Sequence, residues 1–390
     1  MPASALPKYT VLVALHDEAE ILPDLVRRLS KIDYPEDKLD GMLLLEAHDR
    51  ATIEAAETAE MPSWLAVVVV PPGSPTTKPR ALNHGLVLAT GSLLTVFDAE
   101  DEPHPQQLRE AAARFAGNSD QSLACLQAPL RVRVPERSES WFLDRQFAAE
   151  YGSLFEVILP GLARLGLPLP LGGTSNHFRV STLEAVNGWD SWNVTEDADL
   201  GFALWRRGWR LGVLSNPTFE PPPGSLRHWL PQRTRWLKGY MQTFGVQSQR
   251  LIELGPVGFA TLLMTLGVSL LSAAIHAVAL AWVFVCITVA LHARTTPILP
   301  TSAATVLLPG AGVACLTCWI GSRRAGTRYG PLEIVMAPLY WSLLTLAFWH
   351  AVWRLVFEPF KWNKTCHRAL VLAVPRPCPD AVEQAGRQAA

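Results

Sequence analysis

The sequence predicts an α/β domain, with a mostly parallel sheet flanked by helices, followed by a C-terminal bundle of transmembrane helices. Three observations point there. Short apolar, β-branched runs alternate with helical periodicity between Tyr9 and Phe97, the pattern of strands joined by crossover helices. The chain is 49% hydrophobic and only 18% charged. That apolar excess lies after Gly255, where Val257–Leu291, Ala303–Gly321 and Ile334–Trp353 contain no Asp, Glu, Lys or Arg.

The elements follow in order. Tyr9–Leu15 reads as a buried strand, and Leu22, Leu25, Val26 and Leu29 have helical spacing. Met42–Leu45, Ala66–Val70 and Ser92–Phe97 are further strands, separated by helices over Thr52–Ala59 and Asn83–Ala89. In such a sheet, ligands bind outside the carboxyl ends of the strands. That rule places His16–Glu18, Glu46–Asp49, Pro71–Arg80 and Asp98–Asp101 in one neighbourhood. Further on, Trp141–Leu159 reads as a helix and Pro160–Asn176 as a structured loop. Leu200–Arg207 reads as a short helix stopped by Gly208, and Trp209–Leu214 as a strand.

A membrane span needs about 20 apolar residues, so the three charge-free runs are transmembrane candidates. The first is long for one upright helix. It reads either as an interfacial helix plus a span or as a tight hairpin around His276, giving three or four spans. Arg323, Arg324 and Arg328 favour a cytosolic loop, but Lys361–Arg368 is basic too, which leaves the topology open. The boundaries are a tail at 1–8, a catalytic domain at 9–250, a membrane region at 256–357 and an interfacial segment and tail at 358–390.

Composition also argues against some classes. The net charge is −1, so no basic field points to nucleic acid. The six cysteines are scattered and do not form a disulfide framework. Cys315 and Cys318 read as two small apolar residues on a helix. Met1–Lys8 has no apolar signal region, so the first domain is expected to stay in the cytosol.

Three clusters carry chemistry. In Asp98-Ala99-Glu100-Asp101, strand period two puts Asp98 and Glu100 on one side, where they suit a hard divalent cation; the alternative is a solvated acidic turn. In Thr195-Glu196-Asp197, Asp197 is placed to act as a general base, or the acids simply decorate a helix N-terminus. In Gln232-Arg233-Thr234-Arg235-Trp236, an arginine can neutralise a leaving diphosphate and the tryptophan can stack on a sugar. The alternative there is an interfacial basic-aromatic stretch.

Taken together, these motifs resemble the processive branch of family 2 glycosyltransferases, which includes cellulose, chitin, hyaluronan and poly-N-acetylglucosamine synthases. That family carries an acid after each of the first two strands, a D-x-D, a T-E-D and a Q-x-x-R-W. Here these are Glu18, Asp49, Asp98-Ala99-Glu100, Thr195–Asp197 and Gln232–Trp236. The resemblance implies a GT-A-like fold in which Glu18 and Asp49 contact the nucleoside and Lys78 lies near the nucleotide. Asp98 and Glu100 would hold the diphosphate with Mg²⁺ or Mn²⁺, and Asp197 would be the base, assisted by Arg235. Glu196, Gln232, Arg233, Trp236 and Gly173, the last in the acceptor-side loop Leu171–His177, would position acceptor and diphosphate.

The implied protein is a multi-pass inner-membrane hexosyltransferase. It would move a sugar, expected as a UDP conjugate, onto a growing polysaccharide with inversion to a β-linkage. An export partner is not identified. The alternatives are a single transfer to a lipid or protein, and a non-catalytic nucleotide-binding membrane subunit. Two features depart from the family pattern: His16-Asp17-Glu18 stands where Y-N-E is usual, and Glu100, or Asp101 in its place, supplies the second D-x-D carboxylate.

Overall fold

The computed structural model describes residues 2–118, 121–136, 138–295 and 301–358, apart from the side chains of 301–304 and 306. The first half is a set of βα units. Strands β1 (Tyr9–Leu15), β2 (Leu39–Glu46), β3 (Leu65–Val70) and β4 (Leu93–Phe97) are linked by helices α1 (Leu22–Leu29), α2 (Arg50–Thr58) and α3 (Lys78–Leu88). β1 pairs in parallel with β2 on one side and with β4 on the other. The chain therefore builds outward from β1 in one direction and then crosses to the other. That reversal at the β1/β4 junction is the crevice where open α/β sheets bind ligands.

After β4 come β5 (Glu102–Pro103), α4 (Gln107–Ala116), β6 (Leu123–Gln127), β7 (Leu130–Val132) and α5 (Trp141–Ser153). These are followed by α6 (Leu159–Arg164), β8 (Asn176–Arg179), α7 (Val180–Ala185), α8 (Glu196–Arg206), β9 (Arg210–Val213) and β10 (Thr218–Glu220). The main sheet has seven strands in the order β3-β2-β1-β4-β8-β6-β9. β8 runs antiparallel to both neighbours, and β9 parallel to β6. A three-stranded sheet, β5-β10-β7, lies apart from it.

The strands read as continuous apolar runs because both sheet faces are covered. Leu12, Leu44, Leu94 and Val96 pack in one core, while Val11, Val13, Leu43 and Phe97 pack in the other.

Several expected boundaries move. α3 starts at Lys78, five residues before Asn83, and α8 starts at Glu196 rather than Leu200. The helix from Trp141 does not stop at Leu159. It passes through a π-turn at Leu154–Ile158 into α6, so Pro160 lies inside helical structure that the sequence reads as loop. The π-turn just ahead of Pro160 already interrupts the regular i→i−4 ladder, which is where a proline lacking its N–H is accommodated.

The C-terminal region holds α9 (Leu226–Ser248), α10 (Leu251–Leu262), α11 (Val268–Ala293), α12 (Thr301–Ala325) and α13 (Pro331–Phe357). α10 kinks at Gly255, whose φ is 66°, and joins α11 through a second π-turn. α11 runs through His276 as one helix, which sets aside the hairpin, one of the two readings of this run. His276 instead packs edge-on against Trp341 of α13, 5.4 Å away. Among the described residues, two helices are long and apolar enough to cross a membrane, Leu251–Ala293 and Pro331–Phe357, against the three or four spans expected. Cys315 and Cys318 on α12 are free thiols. The interfacial segment expected at 358–390 lies outside the described residues except for Glu358.

α12 touches the catalytic domain backbone to backbone. A Cβ on Gly321 would lie 2.2 Å from the Gly152 carbonyl carbon on α5, so only glycine fits this crossing. Gly321→Ala is expected to destabilise the protein by about 1–3 kcal/mol through overpacking, read as thermal unfolding in detergent. Gly310→Ala on the same helix, where a Cβ meets nothing, should not lower the midpoint and should raise it slightly, because alanine is the better helix former.

Candidate active site

A cleft of about 200 Å³ opens at the β1/β4 junction. Its floor follows from the sheet. His16 and Glu18 come from the end of β1, Glu46 from the end of β2, and Asp98 and Glu100 from the turn after β4. Strand alternation does not place these last two, because β4 ends at Phe97 and the chain turns at once. The Asp98 N–H donates to the Asp101 carboxylate at 2.7 Å, and the Asp101 N–H to the Asp98 carbonyl at 3.2 Å. From α1, Arg28 donates to the carbonyls of Ala99 and Glu100 at 2.7 and 2.9 Å, which pins the turn. Asp101 is wholly buried, bonded to the Thr174 hydroxyl, and does not replace Glu100 in the cleft.

Lys78, in the first turn of α3, reaches across this floor. Its ammonium pairs with Asp98 and donates to the Gly173 carbonyl at 2.7 Å. Although burial opposes its charge, Asp98, Glu196 and Asp101 together hold its pKa above the ordinary lysine value. Gly173 lies close to Asp197: a Cβ there would sit 3.3 Å from its carboxylate, which would have to give slightly. Only the Leu171–Thr174 part of the acceptor-side loop lines the cleft. His177 enters β8, wholly buried and bonded to Tyr9 at 2.6 Å, and burial lowers its pKa to about 3.

The opposite wall is made by α8 and α9. Glu196 and Asp197 open α8, and both carboxyls are pushed above the usual range, first by burial. For Glu196 the Asp197 charge adds to this. For Asp197, the Ala198 N–H and the charges of Lys78 and Arg235 pull the other way. α8 approaches α9 so closely that a Cβ on Gly239 would lie 2.4 Å from Thr195. Along α9, Gln232, Arg235, Trp236 and Tyr240 face the cleft. Among the described residues, the buried Gln232 Oε1 and Arg235 Nε have no hydrogen-bond partner. Polar atoms buried this way are costly unless a ligand satisfies them.

Two expected site residues lie elsewhere. Asp49 caps α2, accepting from the Thr52 N–H at 3.2 Å and the Asp17 N–H at 2.6 Å, and does not line the cleft. Glu46, three residues earlier, takes the place beside the ligand space and pairs with Arg80 at 2.6 Å. Arg233 faces away. It is 5% exposed, pairs with Glu150 at 2.7 Å, donates to the Tyr340 hydroxyl at 3.2 Å and lies over the rings of Phe147 and Trp236. It ties α5, α9 and α13 together behind the site. Glu220, at the end of β10, also lines the cleft. Nothing in its short strand signals this, because the small sheet that carries it forms only by long-range pairing. Tyr240 extends the face of Gln232 and Trp236 by one helical turn, a spacing visible in the sequence.

The residue types at the cleft suit a hard divalent cation, while the tight group of possible ligand atoms among the described residues is His16, Asp17 and Asp49, beside the cleft. Asp98, Glu100 and Glu220 line the cleft together. Glu220 has its pKa raised by burial and then by the charges of Asp101, Glu100 and Asp98. Carboxylate oxygens with no sulfur ligand suit Mg²⁺ or Mn²⁺.

Residues 93–357 match the family model described as glycosyl transferase family group 2. The chain belongs to that family. Its fold is GT-A-like. Among the relatives of this family 2 chain, the beta-monoglucosyldiacylglycerol synthase of Synechocystis is 25% identical over 61% of the chain and 49% of its own length. Cellulose synthase 1 catalytic subunit of Komagataeibacter xylinus is also 25% identical, over 63% of the chain and 32% of its own length. A lipid enzyme and a polysaccharide enzyme are thus equally distant, and identity does not single out the processive branch. The chain spans about half the length of the first of the curated relatives it matches. A mannosyltransferase from Pyrobaculum calidifontis, solved with GDP-Man and Mn²⁺, superposes with a TM-score of 0.59 at 19% identity, covering 91% of this chain and 89% of that one. At that identity the likeness speaks to the fold alone.

The different placements of the two arginines predict different stabilities. Arg233→Gln breaks charge-assisted hydrogen bonds and should cost about 1.5–3 kcal/mol in denaturant unfolding. Arg235→Gln should stay within about 0.5 kcal/mol.

Proposed function

We propose that this family 2 chain is a membrane-associated, metal-dependent inverting hexosyltransferase that takes its sugar from a nucleotide diphosphate donor, expected as a UDP conjugate. One observation carries the reading: Asp98, Asp197, Arg235 and Trp236, distant in sequence, line a single cleft at the strand-order reversal. The nucleoside lies toward His16, Glu18 and Glu46, and the diphosphate toward Lys78, Asp98 and Arg235. A divalent cation on Asp98 and Glu100, when bound, supplies charge for the leaving diphosphate.

Asp197 takes the acceptor hydroxyl proton as the acceptor oxygen bonds to the anomeric carbon. The bond from that carbon to the phosphate oxygen breaks on the opposite face, and its electron pair leaves with the diphosphate. An α-linked donor therefore gives a β-linkage. Lys78 and Arg235 stabilise the negative charge that builds on the leaving group. A carboxyl whose pKa is raised toward the working pH is better matched to proton abstraction than an ordinary one.

For the acceptor, a lipid hydroxyl is favoured over the polysaccharide expected from the motifs. Leu130, Leu154, Phe155 and Leu171 make one wall of the cleft apolar. Leu154 and Phe155 belong to the π-turn that follows α5, the helix crossed by α12. Trp236 supplies a stacking surface for a sugar in either case. Product length from a radiolabelled donor decides: a single addition supports the lipid reading, and a polymer restores the processive one.

Asp197→Asn should keep nucleotide binding by calorimetry while transfer falls about 10²–10⁴-fold; undiminished turnover would remove Asp197 from the mechanism. The base works only when deprotonated and its pKa is raised, so rate should climb with pH along a limb above the normal carboxylate range. A limb lying in that ordinary range would contradict the assignment. EDTA should abolish transfer, and Mn²⁺ or Mg²⁺ should restore it.

A further inference from the structure

Lys78 holds one end of the carboxylate cluster that the proposed reaction assigns to the cation. Its ammonium is anchored at two points, the Asp98 carboxylate and the Gly173 carbonyl, and neither anchor moves freely. Asp98 is tied to Asp101 through its own N–H. Gly173 is followed by Thr174, whose hydroxyl bonds to Asp101. A positive charge is therefore built into the spot where Asp98 would meet a divalent cation. Two cations competing for one partly buried carboxylate repel each other. The ammonium has a second place to go: it rides on a flexible four-carbon stem with three donors, in a cleft whose facing wall carries Arg235. A diphosphate between them offers it more negative charge than Asp98 alone.

We propose that Lys78 is a cation exchange switch. It occupies Asp98 until a nucleotide diphosphate draws it away, and only then does the carboxylate cluster accept its divalent cation tightly. The switch makes metal and nucleotide binding mutually dependent, and linkage requires each to strengthen the other by the same factor. It also keeps the cluster of Asp98, Glu100, Asp101 and Glu220 from carrying an uncompensated negative charge between turnovers. This inference rests on the metal role given above.

The test measures Mn²⁺ binding to the full chain in detergent by electron paramagnetic resonance, with and without UDP or GDP. For the wild type, binding should be weak alone and about 5–150-fold tighter with the nucleotide, the usual range of coupling between sites. Lys78→Met should tighten Mn²⁺ binding to the nucleotide-free protein by a factor in the same range while weakening nucleotide binding. Lys78→Arg keeps the charge and should leave nucleotide-free Mn²⁺ binding as weak as in the wild type, and circular dichroism of both variants checks folding. Unchanged or weaker Mn²⁺ binding in folded Lys78→Met overturns the switch while leaving the metal site intact. No Mn²⁺ binding to the wild type even with nucleotide overturns the metal reading itself.

Discussion

The site depends on one ion pair, Lys78 with Asp98, and on its neighbour contact to the Gly173 carbonyl. Through that ammonium, the start of α3, the turn after β4 and the loop before β8 meet at one point. Each brings its own chemistry: a cation, a pair of carboxylates and a glycine pressed against Asp197. A buried carboxylate cluster is tolerable only with compensating charge, so the lysine holds together a group of acids that would otherwise repel. Burial first pushes the carboxyls of Asp101, Glu196, Asp197 and Glu220 above the usual range, and for Asp101, Glu196 and Glu220 neighbouring carboxylates add to it.

α9 joins this site to the apolar helices. One of its faces carries Gln232, Arg235, Trp236 and Tyr240 into the cleft. The other carries Trp229 and Arg233 into a buried contact with Tyr340 of α13. Arg233 and Arg235 stand two residues apart on a helix and so point in widely different directions. One sits in a closed structural network and the other faces open space, which is why a single short motif serves both packing and chemistry. Thr234 adds a further tie, bonding to His350 at 3.2 Å. The orientation of the cleft face of α9 is thus set from behind by α13, so a disturbance of the apolar helices is felt at the site.

The relatives and the cleft speak to different questions. Family membership rests on residues 93–357, a stretch that includes the acidic turn, the start of α8 and all of α9. A lipid enzyme and a polysaccharide enzyme at the same identity share what that stretch does in common. In this chain Leu154 and Phe155 enter one wall of the cleft from a π-turn.

The sequence by itself determined the parallel half of the sheet and the motif inventory. β1, β2 and β4 are buried on both faces and mostly apolar, so their runs stand out; β3, at the sheet edge, is apolar but partly exposed. Strand ends then located His16, Glu18, Glu46, Asp98 and Glu100 without any coordinates. Which of the candidate residues face the ligand was decided only by tertiary structure. Asp49 is an exception: it caps α2 by accepting from the Thr52 N–H three residues on, an arrangement local to the sequence. Arg233 turned away because Glu150, 83 positions distant, waits behind α9. Glu220 joined the cleft through strand pairing with residues about 90 positions earlier in the chain. Local periodicity records whether a side chain is buried. It does not record which distant partner buries it, because that choice belongs to packing between elements.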